Sequence, residues 1–205
     1  NVDFPHLMLR AKAAKHKRGE TKLAARVLSS TTAVAKLASI PVVVEAVNAA
    51  NRSKPLRGLL ESALGVHRDA VVPTYHSTTG KDRVRALPPQ VTEPFAAGPT
   101  RGKVAIFTTC YGNYNQPQIV EDLALVLRHN GIAVTLIEQE ACCGMPKLEL
   151  GDLEAVDRLK QVNVPQLFNA AIDGWDIVAP IPSCVLMFKQ EIPLMYPGDA
   201  MIATI

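Results

Sequence analysis

Four cysteines, Cys110, Cys142, Cys143 and Cys184, are the residues of this chain best suited to chemistry, and all lie in its second half. Two of them are adjacent, in Cys142-Cys143-Gly144. Adjacent cysteines are poorly placed to make two disulfides, each of which needs its own opposed partner. They are well placed to present two thiolates to one face of a metal cluster. Four thiolates also meet the tetrahedral preference of zinc. The spacing argues against that use, because the familiar pairs of Cys-x2-Cys are absent and adjacent ligands strain a single-ion tetrahedron. Cysteine can also serve simply as a small buried apolar residue, a reading that suits Cys110 or Cys184 alone better than all four together.

The elements that must position these residues follow from periodicity. Val104-Ala105-Ile106-Phe107 is a short continuous apolar run, the mark of a strand buried on both faces. Pro117 to His129 predicts an amphipathic helix, and Ile132 to Ile137 a second strand. A helix from Asp152, its cap, to about Ala171 follows, then a third strand over Asp176 to Ala179. Ser183 is expected to cap a last helix running to about Leu194. Strand and helix repeated three times predict an α/β fold with a parallel sheet covered by helices in three layers. Cys110 follows the first strand, Cys142-Cys143 the second and Cys184 the third. The 31 residues from Cys110 to Cys142 and the 39 from Gly144 to Cys184 each equal one strand-and-helix unit. Open parallel sheets bind ligands outside the carboxyl ends of their strands, so three loops deliver thiols to one edge. Gly144 would let the backbone pass a bulky inorganic group, and helices starting near Pro117 and Ser183 would aim N–H groups at it.

The first half reads differently. Asp3 can cap a helix with Pro5 in its first turn, running toward Gly19. Thr21 to Ala38 predicts one Ala-rich helix, Pro41 to Ala50 another, and Pro55 to Leu64 a third closed by Gly65. From Val66 onward Pro73, Gly80, Pro88, Pro89, Pro94, Gly98 and Pro99 punctuate the chain, which predicts an extended connector. The expected organisation is a basic helical segment over 1–65, a connector over 66–102 and a cysteine-rich α/β domain over 103–205. Residues 1–103 carry 17 Lys/Arg against 7 Asp/Glu, and the remainder 5 against 12, within an overall charge of +3. A basic half of this kind can face an anionic lipid surface or its own acidic half. Nucleic acid is a poor candidate, because aromatics do not interleave with the basic residues.

No stretch reaches the ~20 apolar residues needed to span a bilayer. The opening residues are polar and contain proline, unlike a secretory signal, and the chain opens on Asn1 rather than Met, so further residues are expected before it. A cytoplasmic, reducing setting is expected, which favours thiolates over structural disulfides. No Gly-rich dinucleotide loop and no Ser/His/Asp arrangement is evident. Asn113, Tyr114 and Asn115 are candidates for hydrogen bonds to cluster sulfurs, with turn formation the competing role. Lys147 and Glu149 read as surface loop residues, Trp175 as packing, and His67 and His76 as connector histidines.

Taken together, Cys110, Cys142-Cys143-Gly144 and Pro182-Ser183-Cys184 at these spacings resemble the cysteine-rich (CCG) domain found in the B subunit of heterodisulfide reductase and its relatives. The likeness is nearest to the iron–sulfur oxidoreductases that resemble the C subunit of anaerobic glycerol-3-phosphate dehydrogenase. It extends over Thr109-Cys110-Tyr111-Gly112-Asn113, over Met145-Pro146-Lys147-Leu148, and over Asp3-Phe4-Pro5-His6 near the start. The resemblance implies an iron–sulfur electron-transfer subunit of a respiratory-type oxidoreductase. Cys110, Cys142, Cys143 and Cys184 would be its metal ligands, with Gly144, Asn113 and Ser183 beside the cofactor. The implied cofactor is a [4Fe–4S] cluster, cubane or noncubane, with zinc as the alternative. The implied partners are a dehydrogenase subunit such as a flavoprotein, ferredoxin-like clusters, quinone and an anionic membrane surface. The implied location is the cytoplasm, peripheral to the inner face of the cytoplasmic membrane. Cluster-catalysed disulfide reduction and a zinc-stabilised structural role are the alternative functions. Family members carry two such domains, so one copy of two is expected here. Met187 stands where the full cluster motif has a fifth cysteine, and its expected role is apolar packing.

Overall fold

The computed structural model describes residues 3–90 and 102–205. Its N-terminal half is helical. Helix α1 (Phe4–Lys17) starts where the Asp3 carboxylate accepts the His6 N–H, with Pro5 in the first turn. The single helix expected over Thr21 to Ala38 is two, α2 (Leu23–Leu28) and α3 (Thr31–Ala38). The break has a local cause. The Ser29 and Ser30 hydroxyls both donate to the Arg26 carbonyl, at 3.0 and 2.9 Å, and so compete with the helical ladder. Helix α4 (Pro41–Arg52) and helix α5 (Lys54–Leu64) follow, and Gly65 closes α5 in the left-handed conformation that glycine reaches without strain.

Buried polar side chains from these helices pin the next segment. The Arg57 guanidinium donates to the carbonyls of His67, Arg68 and Ala70, and Asn48 pairs both ways with the Tyr75 backbone. The connector then departs from expectation, since it contains helix α6 (Gly80–Ala86). A capping box between Thr79 and Asp82 starts it, and Val84 packs it onto the sheet. So short a helix is held by tertiary packing, and the surrounding Pro and Gly concealed it. The part of the expected connector over 91–101 lies outside the described residues.

The second half is the α/β unit. Strand β1 (Lys103–Ile106) leads into helix α7 (Cys110–Tyr114) and then helix α8 (Pro117–His129). Strand β2 (Ala133–Leu136) leads into helix α9 (Met145–Leu150) and helix α10 (Leu153–Ile172), which Asp152 caps as expected. Strand β3 (Asp176–Val178) is followed by helix α11 (Pro182–Leu186). The helix expected from a Ser183 cap to Leu194 is instead α11, a π-helical turn over Met187–Glu191, and helix α12 (Ile192–Met195). Ser183 lies inside α11 and does not cap it. Helix α13 (Ala200–Thr204) is the last element.

The three strands are all parallel, in the order β2-β1-β3, with Ala105 paired to Thr135 on one side and Ile177 on the other. Alternation along β1 divides the core. Val104 and Ile106 meet Val84, Val120 and Ala124 of α6 and α8. Ala105 and Phe107 meet Val156, Val164 and Leu167 of α10, with Met187 and Ile192. Both faces of β1 are thereby covered, which explains its unbroken apolar run.

Part of the charge asymmetry is satisfied within the molecule. Lys12 pairs with Glu149, Arg83 with Glu121, Arg85 with Glu138 and Lys81 with Glu140, each joining the basic half to the acidic half. Among the described residues no single helix is long and apolar enough to cross a membrane, and α3 and α4 bend by 108° where they meet.

Candidate metal centre

Each strand hands its cysteine to the same sheet edge by a different local device. After β1 the backbone turns at Thr109, whose φ of 65° makes it the one non-glycine residue with positive φ among those described. The Thr109 hydroxyl accepts the Gly112 N–H at 3.0 Å, and α7 begins on Cys110. After β2 the loop is gripped by Asn163 of α10, which is fully buried. Its amide accepts the Ala141 N–H at 2.8 Å and donates to the Cys142 carbonyl at 2.9 Å. Gly144 then turns with φ of 103°, and a Cβ there would sit 3.3 Å from the Met187 methyl. Glycine is needed at this position for the backbone conformation and for Met187. Cys184 lies in the first turn of α11, its N–H on the Ile181 carbonyl.

All four cysteines are free thiols; Cys142, Cys143 and Cys184 are buried and Cys110 is half-buried. The Cys110 and Cys142 sulfurs are 4.0 Å apart. The Cys143 and Cys184 sulfurs line the same cavity. Interaction among the thiols differentiates the members. The Cys142 thiol is pulled well below the ordinary thiol range, first by the Cys110 thiol and then by Cys143, with help from the Gly144 N–H and the Thr31 hydroxyl. The Cys110 thiol is pushed up by its bond to Cys142 and by burial, and Cys143 by its bonds to Cys142 and Cys184 and by burial.

These sulfurs line a cavity of about 1020 Å³. Its opposite wall comes from the helical half, with Val27, Leu28, Val34, Leu37, Leu60 and Leu64 among its residues. A polar cavity of about 280 Å³ lies beyond Cys110, lined by Lys81, Glu138, Glu140, Asn113 and Tyr114 among others. Between the two, a network joins the cysteine loops. Lys81 donates from its ammonium to the Ile137 and Glu138 carbonyls, at 2.6 and 3.0 Å, and lies 3.5 Å from Glu140. Glu140 accepts from the Thr108 N–H and hydroxyl, and the Lys81 N–H donates to Asn113 at 3.0 Å. The loops before Cys110 and before Cys142 are thus locked to each other. Burial draws the Lys81 ammonium below its ordinary range and pushes the Glu140 carboxyl above its own, outweighing their mutual attraction.

Comparison with known proteins matches residues 104–189 to the family described as Cysteine-rich domain. This chain carries a domain of that family. The C subunit of anaerobic glycerol-3-phosphate dehydrogenase from Escherichia coli K12 is 30% identical over 148 residues, 72% of this chain and 36% of that protein. The B subunit of the fumarate reductase (CoM/CoB) of Methanothermobacter marburgensis is 29% identical over 92 residues, 44% of this chain and 18% of that protein. Lactate utilization protein A of an Exiguobacterium strain is 30% identical over 96 residues, 47% of this chain and 38% of that protein. The chain thus spans little more than a third of the length of these relatives at most. The 148 residues exceed the chain from Val104 onward, so the likeness to the first relative reaches into the helical half. No solved structure matches.

The donor set of the cysteine-rich domain discriminates between the two inorganic groups expected. Zinc–sulfur bonds of about 2.3 Å put tetrahedral thiolates about 3.8 Å apart. The Cys110–Cys142 spacing of 4.0 Å is near that edge length. Among the described residues, however, no three His, Cys, Asp or Glu side chains converge to hold a single ion. Four unoxidised thiols opening on a large cavity suit a polynuclear group better.

Not every residue expected beside the cofactor faces the sulfurs. Asn113 is committed to the Lys81 N–H on the polar side of α7. Ser183 lines the large cavity and is exposed, and no residue of the first turn of α8 lines it. Met187 is fully buried in the core one turn beyond Cys184. Lys147 and Glu149 lie in α9, Glu149 exposed as expected and Lys147 half-buried, and both are paired. Lys147 donates to Ser29 and Ser30, and Glu149 accepts from Lys12. The residues that sequence reasoning missed are Thr31, Lys81, Glu140, Lys147 and Asn163. Asn163 in the interior of an apolar helix was the one visible signal, because a buried amide must find partners. The others carried none.

Proposed function

We propose that this chain is the iron–sulfur electron-transfer portion of a dehydrogenase-type oxidoreductase, with Cys110, Cys142, Cys143 and Cys184 as the metal ligands. The observation that carries the reading is the delivery of four free thiols by three successive strand-to-helix loops to one sheet edge, facing a cavity far larger than the sulfurs need. A [4Fe–4S] cluster, cubane or noncubane, would supply one-electron chemistry at that position. The chain's own residues do the rest. Cys142, Cys143 and Cys184 are buried, so the sulfurs meet solvent only through the cavity. The Lys81–Glu140–Thr108 network fixes the distance between two ligand loops. The apolar wall of the helical half lowers the local dielectric.

Electrons would come from a dehydrogenase subunit, a flavoprotein in the fullest form of the reading. Ferredoxin-like clusters and a second cysteine-rich domain would belong to the further length that the relatives span. Quinone is the proposed acceptor and an anionic membrane surface the proposed docking site. Support for the latter comes from Leu23, Leu37, Val42 and Leu59, all exposed on the helical half beside Lys22, Lys36 and Lys54. Flotation with anionic vesicles, against neutral ones, tests it.

Iron, sulfide and zinc analysis of anaerobically purified protein, with an EPR spectrum of the same sample, tests the central reading. About four iron and four sulfide per site with a redox-active signal is the expected result. One zinc and no signal would replace it with the structural alternative. The cavity beside the thiols also favours a second reading, cluster-based disulfide reduction, because a substrate could reach them there. Turnover of disulfides by the full-length protein would establish that activity, and rapid reduction by a dehydrogenase partner without it would exclude it.

A further inference from the structure

The helical half places one hydroxyl against the sulfurs. Thr31, the first residue of α3, has its Oγ1 3.6 Å from the Cys110 sulfur and 3.6 Å from the Cys142 sulfur. Among the described residues no other side-chain hydroxyl has a hydrogen-bonding contact with the four cysteines. Its neighbours on that wall of the cavity are apolar, Val27, Leu28, Val34 and Leu37. A hydroxyl on this otherwise apolar wall is a polar group that needs a partner, and the two sulfurs supply it. The hydroxyl carries one proton and stands equidistant from two sulfurs, so it can donate to either.

The turn that carries Thr31 is itself tied to the cysteine loop. The Lys147 ammonium, four residues after Cys143, donates to the Ser29 hydroxyl at 3.1 Å and the Ser30 hydroxyl at 3.0 Å. Those same hydroxyls make the break between α2 and α3 by donating to the Arg26 carbonyl. Lys147 therefore anchors the turn from the side of α9, and α9 begins directly after Cys142-Cys143-Gly144. The sulfur and the hydroxyl aimed at it are held by one element.

From this geometry we infer that the helical half completes the metal centre, with Thr31 as the hydrogen-bond donor to the ligand sulfurs and Lys147 as the residue that positions it. The inference rests on the cysteines being metal ligands, as proposed above. Its donor, Thr31, lies outside the matched segment 104–189, and Lys147 lies within it. A donor to a ligand sulfur stabilises the added negative charge of the reduced state, so it raises the reduction potential.

The test compares Thr31→Val, Thr31→Ser and Lys147→Met in the full-length protein by EPR-monitored redox titration. Thr31→Val should shift the reduction equilibrium about tenfold toward the oxidised state, about 59 mV lower for a one-electron couple. Thr31→Ser, which keeps the hydroxyl, should stay close to wild type. Lys147→Met should move in the same direction as Thr31→Val by less, because the hydroxyl remains while its anchor is lost. If Thr31→Val fails to fold, Thr31→Ala carries the same expectation. Wild-type potentials in the variants that lack the hydroxyl, with metal content unchanged, would overturn the inference.

A protein that holds zinc instead of iron would defeat the electron-transfer reading but not this one. In that event cobalt(II) is substituted at the site, and the thiolate-to-metal charge-transfer band is read. Thr31→Val should move the band to lower energy and Thr31→Ser should not. Coincident bands would sink the assignment of Thr31.

Discussion

The two halves of this molecule are stabilised in different ways. The half from Lys103 onward builds its own core, because β1 is covered on both faces and Phe107, Leu167, Met187 and Ile192 are almost fully buried. The helical half buries little by itself. Helices α1 and α2 contain no buried residue, and Val42 and Leu59 stay exposed. Its ties to the other half are few and specific: Leu9 packed on the core, Lys12 on Glu149, His6 on Glu191, Lys147 on the Ser29–Ser30 turn, and a close backbone approach of α1 to Gly151. The metal centre lies where these two kinds of structure meet. A rigid sheet edge presents the thiols, and a lightly held wall closes over them.

The sharpest test of that division acts on the ligands. Cys143→Ser should abolish metal retention, measured as iron and sulfide per chain, while far-UV circular dichroism stays that of the parent. Retention of the full metal complement would break the assignment of the sheet edge as the metal centre.

Next in size are the changes that separate core from wall. Leu167→Ala should cost about 2–5 kcal/mol in denaturant unfolding, as buried leucine truncations do. Leu37→Ala on the exposed helical surface should stay within about 0.5 kcal/mol. Lys81→Met should cost about 3 kcal/mol, because it leaves the buried Glu140 carboxylate without its cation. Pairing it with Glu140→Gln should recover part of that loss, and a double-mutant cycle reads the coupling. Equal costs at Leu167 and Leu37 would erase the contrast between the halves.

Gly151→Ala probes the seam. A Cβ there would lie 2.5 Å from the Lys12 carbonyl carbon and 2.6 Å from the Ala13 nitrogen, backbone atoms that cannot yield without moving α1. Its φ of 87° adds strain for any side chain. A loss of about 1–3 kcal/mol is expected. Hydrogen exchange should quicken in α1 while β1 stays protected, and uniform quickening would mean that the halves unfold as one unit.

The smallest effect is a pH dependence. The His6 imidazole is raised above its ordinary value of 6.5 by the hydrogen bond to Asp3 and then by that to Glu191. A group with a raised folded-state pKa contributes stability that is fully present below about 6.5 and is lost as pH rises through the folded-state value. The protection of α1, taken relative to the intrinsic base-catalysed exchange rate at each pH, should therefore be greater at pH 6 than at pH 8 in the parent, and His6→Gln should flatten the difference. A difference that survives His6→Gln would place the titration elsewhere.

Legibility in the sequence followed the range of the physics. The helix over Pro117–His129, the Asp152 cap, the Gly65 stop and the three strands rest on local patterns, and the structure reproduces them within a residue or two. The break at Ser29–Ser30 was missed because Ala-rich periodicity continues through it, and only hydroxyls bonding back to Arg26 end α2. Helix α6 was missed because proline and glycine surround it and its stability comes from Val84 on the sheet. The structure also replaced the expected Ser183 cap with a short helix and a π-helical turn.

By itself the sequence determined that Cys110, Cys142, Cys143 and Cys184 would meet. Each follows a strand of one parallel sheet, and parallel strands end on one edge. Tertiary structure alone decided what surrounds them. Thr31 comes from 79 residues before Cys110, and Lys81 reaches the Ile137 carbonyl across 56 residues. A threonine at a helix start and a lysine in a connector look like solvated positions, because a polar side chain declares its partner only when folding removes the water it would otherwise bind.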